Sequence, residues 1–293
     1  MSKNIKAPSS LPGYPMLSEE EGLLLSRTAE LIGRADGATV CSGCFYNLGE
    51  QYLLRAYMKM VGLTEGVHYV FFGGYDYAER AMLFCFPSYL SDAIAAALES
   101  SETKSYAAQM KEDAMLSEEA LLGIRIQGSG YKTLSHRDYL GALLSLGIER
   151  HTLGDIVIPD THSAYLIAKT NICDFLLTTL EHVGADKVRV SRVPSEEMRA
   201  LPDMHRFEMI SDTIASPRLD SIVAACANLS RKKAKVAVLA GSVELDFRTV
   251  TAPDANVPDH SYISIRGVGR FLFLGIDGTS KKGRLRMKAK RFI

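Results

Sequence analysis

Residues 121–193 switch repeatedly between the two hydrophobic periods, which limits the folds open to this chain more than any other feature. LLGIRIQG (121–128), DIVIPD (155–160), SAYLIAK (163–169) and KVRVSRV (187–193) read as strands. HRDYLGALLSLGI (136–148) and NICDFLLTTLEHVG (171–184) read as helices, the second with Ile172, Phe175, Leu176, Leu180 and Val183 on one face. The order β-α-β-β-α-β is the ferredoxin-like unit common among RNA-recognition and ribosomal domains. Sheets of that class stack bases on strand aromatics. These strands offer Tyr165 and no Lys/Arg-Gly-Phe signature, so a binding role and a purely structural role both stand.

His136-Arg137-Asp138 mimics a kinase catalytic loop, but the position that loop needs as Asn is Leu143, and no matching Gly-rich loop or DFG is present. With Lys132, His136 and Arg137 instead form a basic group at a helix start, open to two readings: a second RNA contact or a helix cap.

The N-terminal part reads as mixed. LSEEEGLLLSRTAELIG (17–33) is a helix opened by a capping box, Ser18 with Glu21, and residues 46–61 are a second helix. Val67–Phe72 and Met82–Phe86 are β-like runs flanking Gly73-Gly74; without a following Gly-Lys-Ser/Thr this is a tight turn and no P-loop. Residues 89–120 read as an acidic, exposed helical stretch. Five Cys at uneven spacing argue for free thiols. Cys41 and Cys44 form a CxxC, half of a zinc site or a redox pair at most. With no second CxxC and no His pair at ligand spacing, a structural role is expected and no metal is assigned. No run approaches 18 apolar residues and the start lacks a signal-peptide core, so no membrane span and a cytoplasmic location are expected.

Charge is unevenly spread. Of 34 Lys/Arg and 34 Asp/Glu, residues 218–293 hold 15 and 6, leaving 19 and 28 for the rest. A basic C-terminal part on an acidic body suggests nucleic-acid binding at that end. Within it, Leu219, Ile222, Val223, Cys226 and Leu229 make one helical stripe. Ser230 then caps a second helix with Gly241 at its far end. Arg231, Lys232, Lys233 and Lys235 fill the first turns of that helix. Cations there oppose the helix dipole, so another partner must favour them, and free N–H groups with lysines suit phosphate. From Lys281 to Arg291 there are seven Lys/Arg and no acid, read as a basic tail whose alternation puts Arg284, Arg286 and Lys288 on one strand face.

RLD (218–220), a helix, SRKKAK, a glycine, a short strand and then RGVGRF resemble the RNA-binding domain typified by ribosomal protein S-four, the alpha-L motif. Val243-Glu244-Leu245-Asp246-Phe247 and Asp259-His260 depart from that pattern at its two turns. GGYDYAER (73–80), HRDYLGALLSLGIERHTLGDI (136–156) and ISIRGVGRF with KKGRLRM also resemble the bacterial YlmH family, from about Leu53 to the C-terminus.

That resemblance implies an α+β protein: an N-terminal α/β domain (1–86), an RRM-like middle domain (87–193), a linker (194–217), and an S-four-type domain with a basic tail (218–293). It implies a non-enzymatic protein without cofactor, bound to ribosomal RNA and tRNA on the large ribosomal subunit in ribosome-associated quality control. A division-related role is the other setting implied. The expected phosphate contacts are Arg218, Ser230, Arg231, Lys232, Lys233 and Lys235. Arg248, Arg266 and Arg270 join them from the strands, and Lys281, Lys282, Arg284 and Arg286 from the tail. The competing readings are an RNA-modifying enzyme, with Ile126-Gln127-Gly128-Ser129-Gly130 as its one cofactor-loop candidate, and a cell-division interaction protein.

Overall fold

The computed structural model describes residues 8–12, 14, 16–35, 41–92, 94 and 121–293. Most of the expected 89–120 helix, and with it the expected opening of the middle domain at 87–120, lies outside them. The chain is α+β and divides into two compact units, Met1–Met204 and His205–Ile293. Among the described residues no helix is long and apolar enough to cross a membrane.

In the first unit, β1 (Cys41–Tyr46), β2 (Tyr69–Phe72) and β3 (Ala81–Cys85) form an antiparallel sheet of order β1–β3–β2. Helices α1 (Glu19–Ala35) and α2 (Leu48–Met60) cover one face. Leu25, Ile32, Leu53, Leu54 and Tyr57 pack there against Tyr69, Leu83 and Cys85. Both helices open on reciprocal capping boxes, Ser18 with Glu21 and Asn47 with Glu50. β3 is buried at all five positions because its other face is also covered. The CxxC lies on β1, a strand the sequence reading did not include.

The covering partner is the second sheet, of order β5–β6–β4–β8–β7 and antiparallel throughout. It consists of β4 (Leu121–Gly128), β5 (Leu153–Val157), β6 (Ser163–Lys169), β7 (His182–Val183) and β8 (Asp186–Val193). The first four in that order have the ferredoxin-like arrangement, with α3 (His136–Ser145) and α4 (Thr170–Thr179) as crossovers. The helix expected over 171–184 stops at Thr179. The chain turns at Gly184 (φ 60°), and β7 pairs back onto β8. Ile124, Ile126, Leu166 and Val188 face the helices. Alternate residues Val157, Tyr165, Ile167 and Val193 face Phe45, Met82, Phe84 and Phe86 of the N-terminal part. Helix α5 (Ser195–Arg199) seals the rest: Gly123 lacks a side chain where Met198 crosses, and a Cβ there would meet the Met198 sulfur at 2.2 Å.

The second unit is one six-stranded antiparallel sheet of order β11–β10–β12–β13–β14–β9 with two helices on one face. Its elements are β9 (Phe207–Ile214), α6 (Leu219–Cys226), α7 (Arg231–Leu239), β10 (Val243–Leu245), β11 (Arg248–Thr249), β12 (Ser261–Ile265), β13 (Gly269–Thr279) and β14 (Leu285–Phe292). Two sequence expectations change here. The expected linker at 194–217 contains α5 and the edge strand β9, whose Ile210 and Ile214 reach the core. The expected basic tail is β14, paired with β13 and β9, because Met287 and Ala289 alternate with its cations and are buried. Helix α6 ends at Cys226 in a Schellman turn: Asn228 is left-handed (φ 51°) and the Leu229 N–H donates to the Ala224 carbonyl. Leu229 therefore lies beyond the stripe it was placed in.

Candidate RNA interface

The C-terminal cations are arranged around one buried carboxylate. Asp220, in the first turn of α6, is 3% exposed. Arg231 Nε donates to its Oδ2 at 3.2 Å, and Arg218 Nε lies 3.4 Å from Oδ1. Burial alone would raise this carboxyl, but the Arg231 hydrogen bond and the charges of Arg231 and Arg218 outweigh it and hold it below the usual range. The RLD motif is thus a brace. It joins the starts of α6 and α7 and holds two half-exposed guanidinium groups on one anion. Arginine has five donors, and the bond to Asp220 occupies one of the five on Arg231. Ser230 caps α7, accepting from the Lys233 N–H at 3.3 Å, and Lys232, Lys233 and Lys235 are exposed. Two arginines, three lysines and a helix N-terminus can hold phosphates, and Asp220 is shared between the two arginines.

The remaining expected contacts do not extend that cluster as one surface. The core side of β12, β13 and β14 carries Ile263, Phe271, Phe273 and Met287, packed under α6 and α7. By strand alternation Arg270 and Arg286 face the opposite way. Arg270 lies over the Phe292 ring at 4.7 Å. Arg266 belongs to the β12–β13 turn and not to a strand. It is exposed beside Gly241 and Ser242 at the far end of α7. Arg248 is half-buried at the start of β11. Lys281 and Lys282 are exposed in the β13–β14 turn, and Arg284 next to it donates to the Thr213 carbonyl, tying the hairpin to β9.

Where the alpha-L pattern changes, the turn is rebuilt. Asp246 (φ 48°) and Phe247 (φ 63°) are the two left-handed residues linking β10 to β11. Asp246 locks this turn onto β12, accepting from the Tyr262 N–H at 2.9 Å and the Ser261 hydroxyl at 3.1 Å.

In the middle domain, Lys132, His136 and Arg137 are exposed before and within the first turn of α3. Asp138, the third member of the kinase-like triplet, serves the cap: the Ser135 N–H and hydroxyl both donate to it, which lowers its carboxyl pKa. Although the residue is exposed as a whole, partial desolvation of the ring, then Arg150, lowers the His136 pKa and favours its neutral form. Tyr165 cannot stack a base. It is 8% exposed and its hydroxyl donates to Glu197 on α5 at 2.7 Å. Sequence reasoning missed the open rim of the same sheet face, where Gln127, Arg189 and Ser191 sit in register and are exposed; alternation along β4 and β8 would have marked it.

The GGYDYAER segment makes a clasp within the first unit. Arg80 donates to the carbonyls of Leu153 (3.0 Å), Phe45 (3.0 Å) and Arg150 (3.3 Å). Asp155 accepts from the Glu79 N–H (2.7 Å), the Arg80 N–H (3.2 Å) and the Tyr75 hydroxyl (3.2 Å). Burial raises the Asp155 carboxyl against these donors, and burial and then Arg80 bring Arg150 down to about 10. Gly73 is required because a Cβ there would lie 2.3 Å from the Ala78 Cβ. Cys44 is a free, half-buried thiol pushed up by burial, the reverse of what a thiolate ligand or nucleophile needs.

Residues 120–197 match the family model described as "Putative RNA-binding domain in YlmH". The match spans β4 to α5, the whole middle sheet with part of its sealing helix. The chain is 29% identical over 247 residues to the ribosome-associated protein quality control protein P2 of Bacillus subtilis (strain 168), covering 84% of this chain and 85% of that protein. It also aligns with the solved structure of the cell division protein ylmH from Streptococcus pneumoniae at 19% identity. That alignment covers 64% of this chain and 98% of the other, with a TM-score of 0.44. Residues 120–197 are thus similar to the domain described for the YlmH proteins, and the chain is similar to the Bacillus subtilis protein along most of both lengths.

Proposed function

We propose that this chain is a non-enzymatic RNA-binding protein of the ribosome, and that its principal phosphate contacts are made by the braced cation cluster of the second unit. The observation that carries this reading is Asp220 holding Arg218 and Arg231 together beside three exposed lysines at a capped helix start. The match of residues 120–197 to a domain described as RNA-binding, and a relative named for ribosome-associated quality control, support the RNA and ribosome setting. Within it, the partners proposed are ribosomal RNA and tRNA on the large subunit. The rim of Gln127, Arg189 and Ser191, with Lys132 and Arg137, is the second contact.

The non-enzymatic part of the proposal rests on the loop at 126–130. A cofactor loop needs room for an anion against its glycines. Here Asp186, itself buried, sits where a Gly128 Cβ would meet its carboxylate at 2.8 Å, and the Ser129 hydroxyl donates to it. A buried carboxylate repels the phosphate or carboxylate of a cofactor.

Sedimentation of the full chain with ribosomal particles tests the proposal. The wild type is expected in the large-subunit fraction, and Lys232→Glu/Lys233→Glu/Lys235→Glu in the unbound fraction with an unchanged thermal midpoint. A folded triple variant that still co-sediments would remove the cluster from the interface.

A further inference from the structure

The second unit has one face that neither the core nor the braced cluster uses. On the side of its sheet away from α6 and α7, three rings form a row. Phe247 lies 5.4 Å from Tyr262, and Tyr262 lies 6.1 Å from Phe292 at an interplanar angle of 23°. All three are half-buried and none belongs to the core, which takes Phe271 and Phe273 from the opposite face of the same sheet. Cations are interleaved with the rings. The Arg270 guanidinium lies 4.7 Å from the Phe292 ring and 5.9 Å from Tyr262, and the Lys290 ammonium is 4.2 Å over Phe207. Arg286 and Lys288 continue the face along β14. Of the acids near it, Asp277 is paired with Lys288 at 2.6 Å, Asp259 lies against Gly275 on β13, and Glu244 stands at the far edge.

Phe247 is the telling member of the row. It occupies a left-handed position (φ 63°) at which glycine or asparagine is the low-energy choice and a bulky aromatic is an outlier. A strained residue persists when the surroundings impose it, and such strain points toward function. The surroundings here are the Asp246 lock on β12. What the strain achieves is to set one more ring beside Tyr262.

We propose that this face is a stacking platform for unpaired bases of RNA, with Phe247, Tyr262 and Phe292 offering ring faces and Arg270 and Lys290 meeting the intervening phosphates. Aromatic rings alternating with cations on an open sheet match the two chemistries of a single strand, flat apolar bases and a regularly charged backbone. Duplex RNA hides its base faces, so the platform selects single-stranded segments while the braced cluster takes phosphates of either form. The proposal rests on the RNA-binding reading above.

The test uses the full chain, fluorescence anisotropy at fixed salt, and two probes: single-stranded oligoadenylate of about twelve nucleotides and an RNA duplex of similar length. Phe247→Gly relieves the strained backbone, so its thermal midpoint should stay level or rise. Its affinity for the single strand should fall about tenfold while duplex binding stays within about twofold. Phe292→Leu keeps an apolar side chain and should show the same selective loss. The platform is overturned if Phe247→Gly and Phe292→Leu bind oligoadenylate like the wild type, or lose both probes equally. It is also overturned if the wild type binds duplex alone, which would leave the RNA reading intact. A wild type that binds neither probe removes the RNA reading itself.

Discussion

The middle sheet and the C-terminal sheet each bury one face under two helices, and they part company at the other face. In the middle sheet Val157, Tyr165, Ile167 and Val193 are covered by Phe45, Met82, Phe84 and Phe86, with Met198 over Gly123. In the C-terminal sheet the corresponding face carries Phe247, Tyr262, Arg270 and Phe292, all half-buried. The first face contributes stability, at roughly 1.5–3 kcal/mol for each large apolar side chain removed from water. The second keeps aromatic and cationic groups accessible and tolerates an unfavourable backbone at Phe247. Strand order alone therefore does not mark a nucleic-acid surface. A sheet of the RNA-recognition type can have most of its stacking face closed by its own chain, with the rim at Gln127, Arg189 and Ser191 exposed.

The largest effect expected from this contrast is on the closed face. Arg80→Ala would remove a charged donor from the carbonyls of Phe45, Leu153 and Arg150, leaving Leu153 the Arg150 guanidinium and Arg150 the Leu153 N–H, and would loosen the clasp around Asp155. A loss of about 3 kcal/mol is expected in urea denaturation. RNA affinity, measured where the variant is folded, should barely move if the C-terminal cluster carries binding. An unchanged urea midpoint would mean that the clasp does not seal the sheet.

Asp220→Asn should act the other way, costing less stability and more affinity. About 1–2 kcal/mol is expected at neutral pH from the weakened hydrogen bond and lost charge pairing, with a measurable drop in RNA binding as Arg218 and Arg231 separate. The pH response gives a sign check. Because the folded carboxyl titrates below its unfolded value, its stabilisation is fully present above about pH 4 and is lost as pH falls through the lower folded pKa. The wild type should lose that increment on acidification, and the Asn variant should not. Parallel acid curves for the two would show that the brace contributes nothing.

The parts of this molecule that could be read from sequence were those with an uninterrupted period. The strands and helices of residues 121–193 show because each has at least one continuous apolar face. Ser230 and the lysines after it show because caps and dipoles act within one turn. β9 was hidden by Glu208, Ser211 and Asp212, which an edge strand can carry; the alternation of β14 was legible, but its cation density gave it as a tail and not as a strand paired into the core sheet through Met287 and Ala289. The clasp was out of reach because Arg80 and Leu153 are 73 residues apart and only the fold joins them. Phe247 looked like a departure from a motif, and its backbone angle gave that departure a physical meaning.

The central claim is that the Lys/Arg cluster at the start of α7 binds RNA phosphates, and the salt dependence of affinity tests it most directly. With about six to ten phosphate contacts, affinity of the full chain for structured RNA should fall about a thousandfold or more between about 50 and 200 mM salt. In Lys232→Glu/Lys233→Glu/Lys235→Glu the slope of log affinity against log salt should flatten by about three. A flat response in the wild type, or the same steep slope in the triple variant, would contradict the claim.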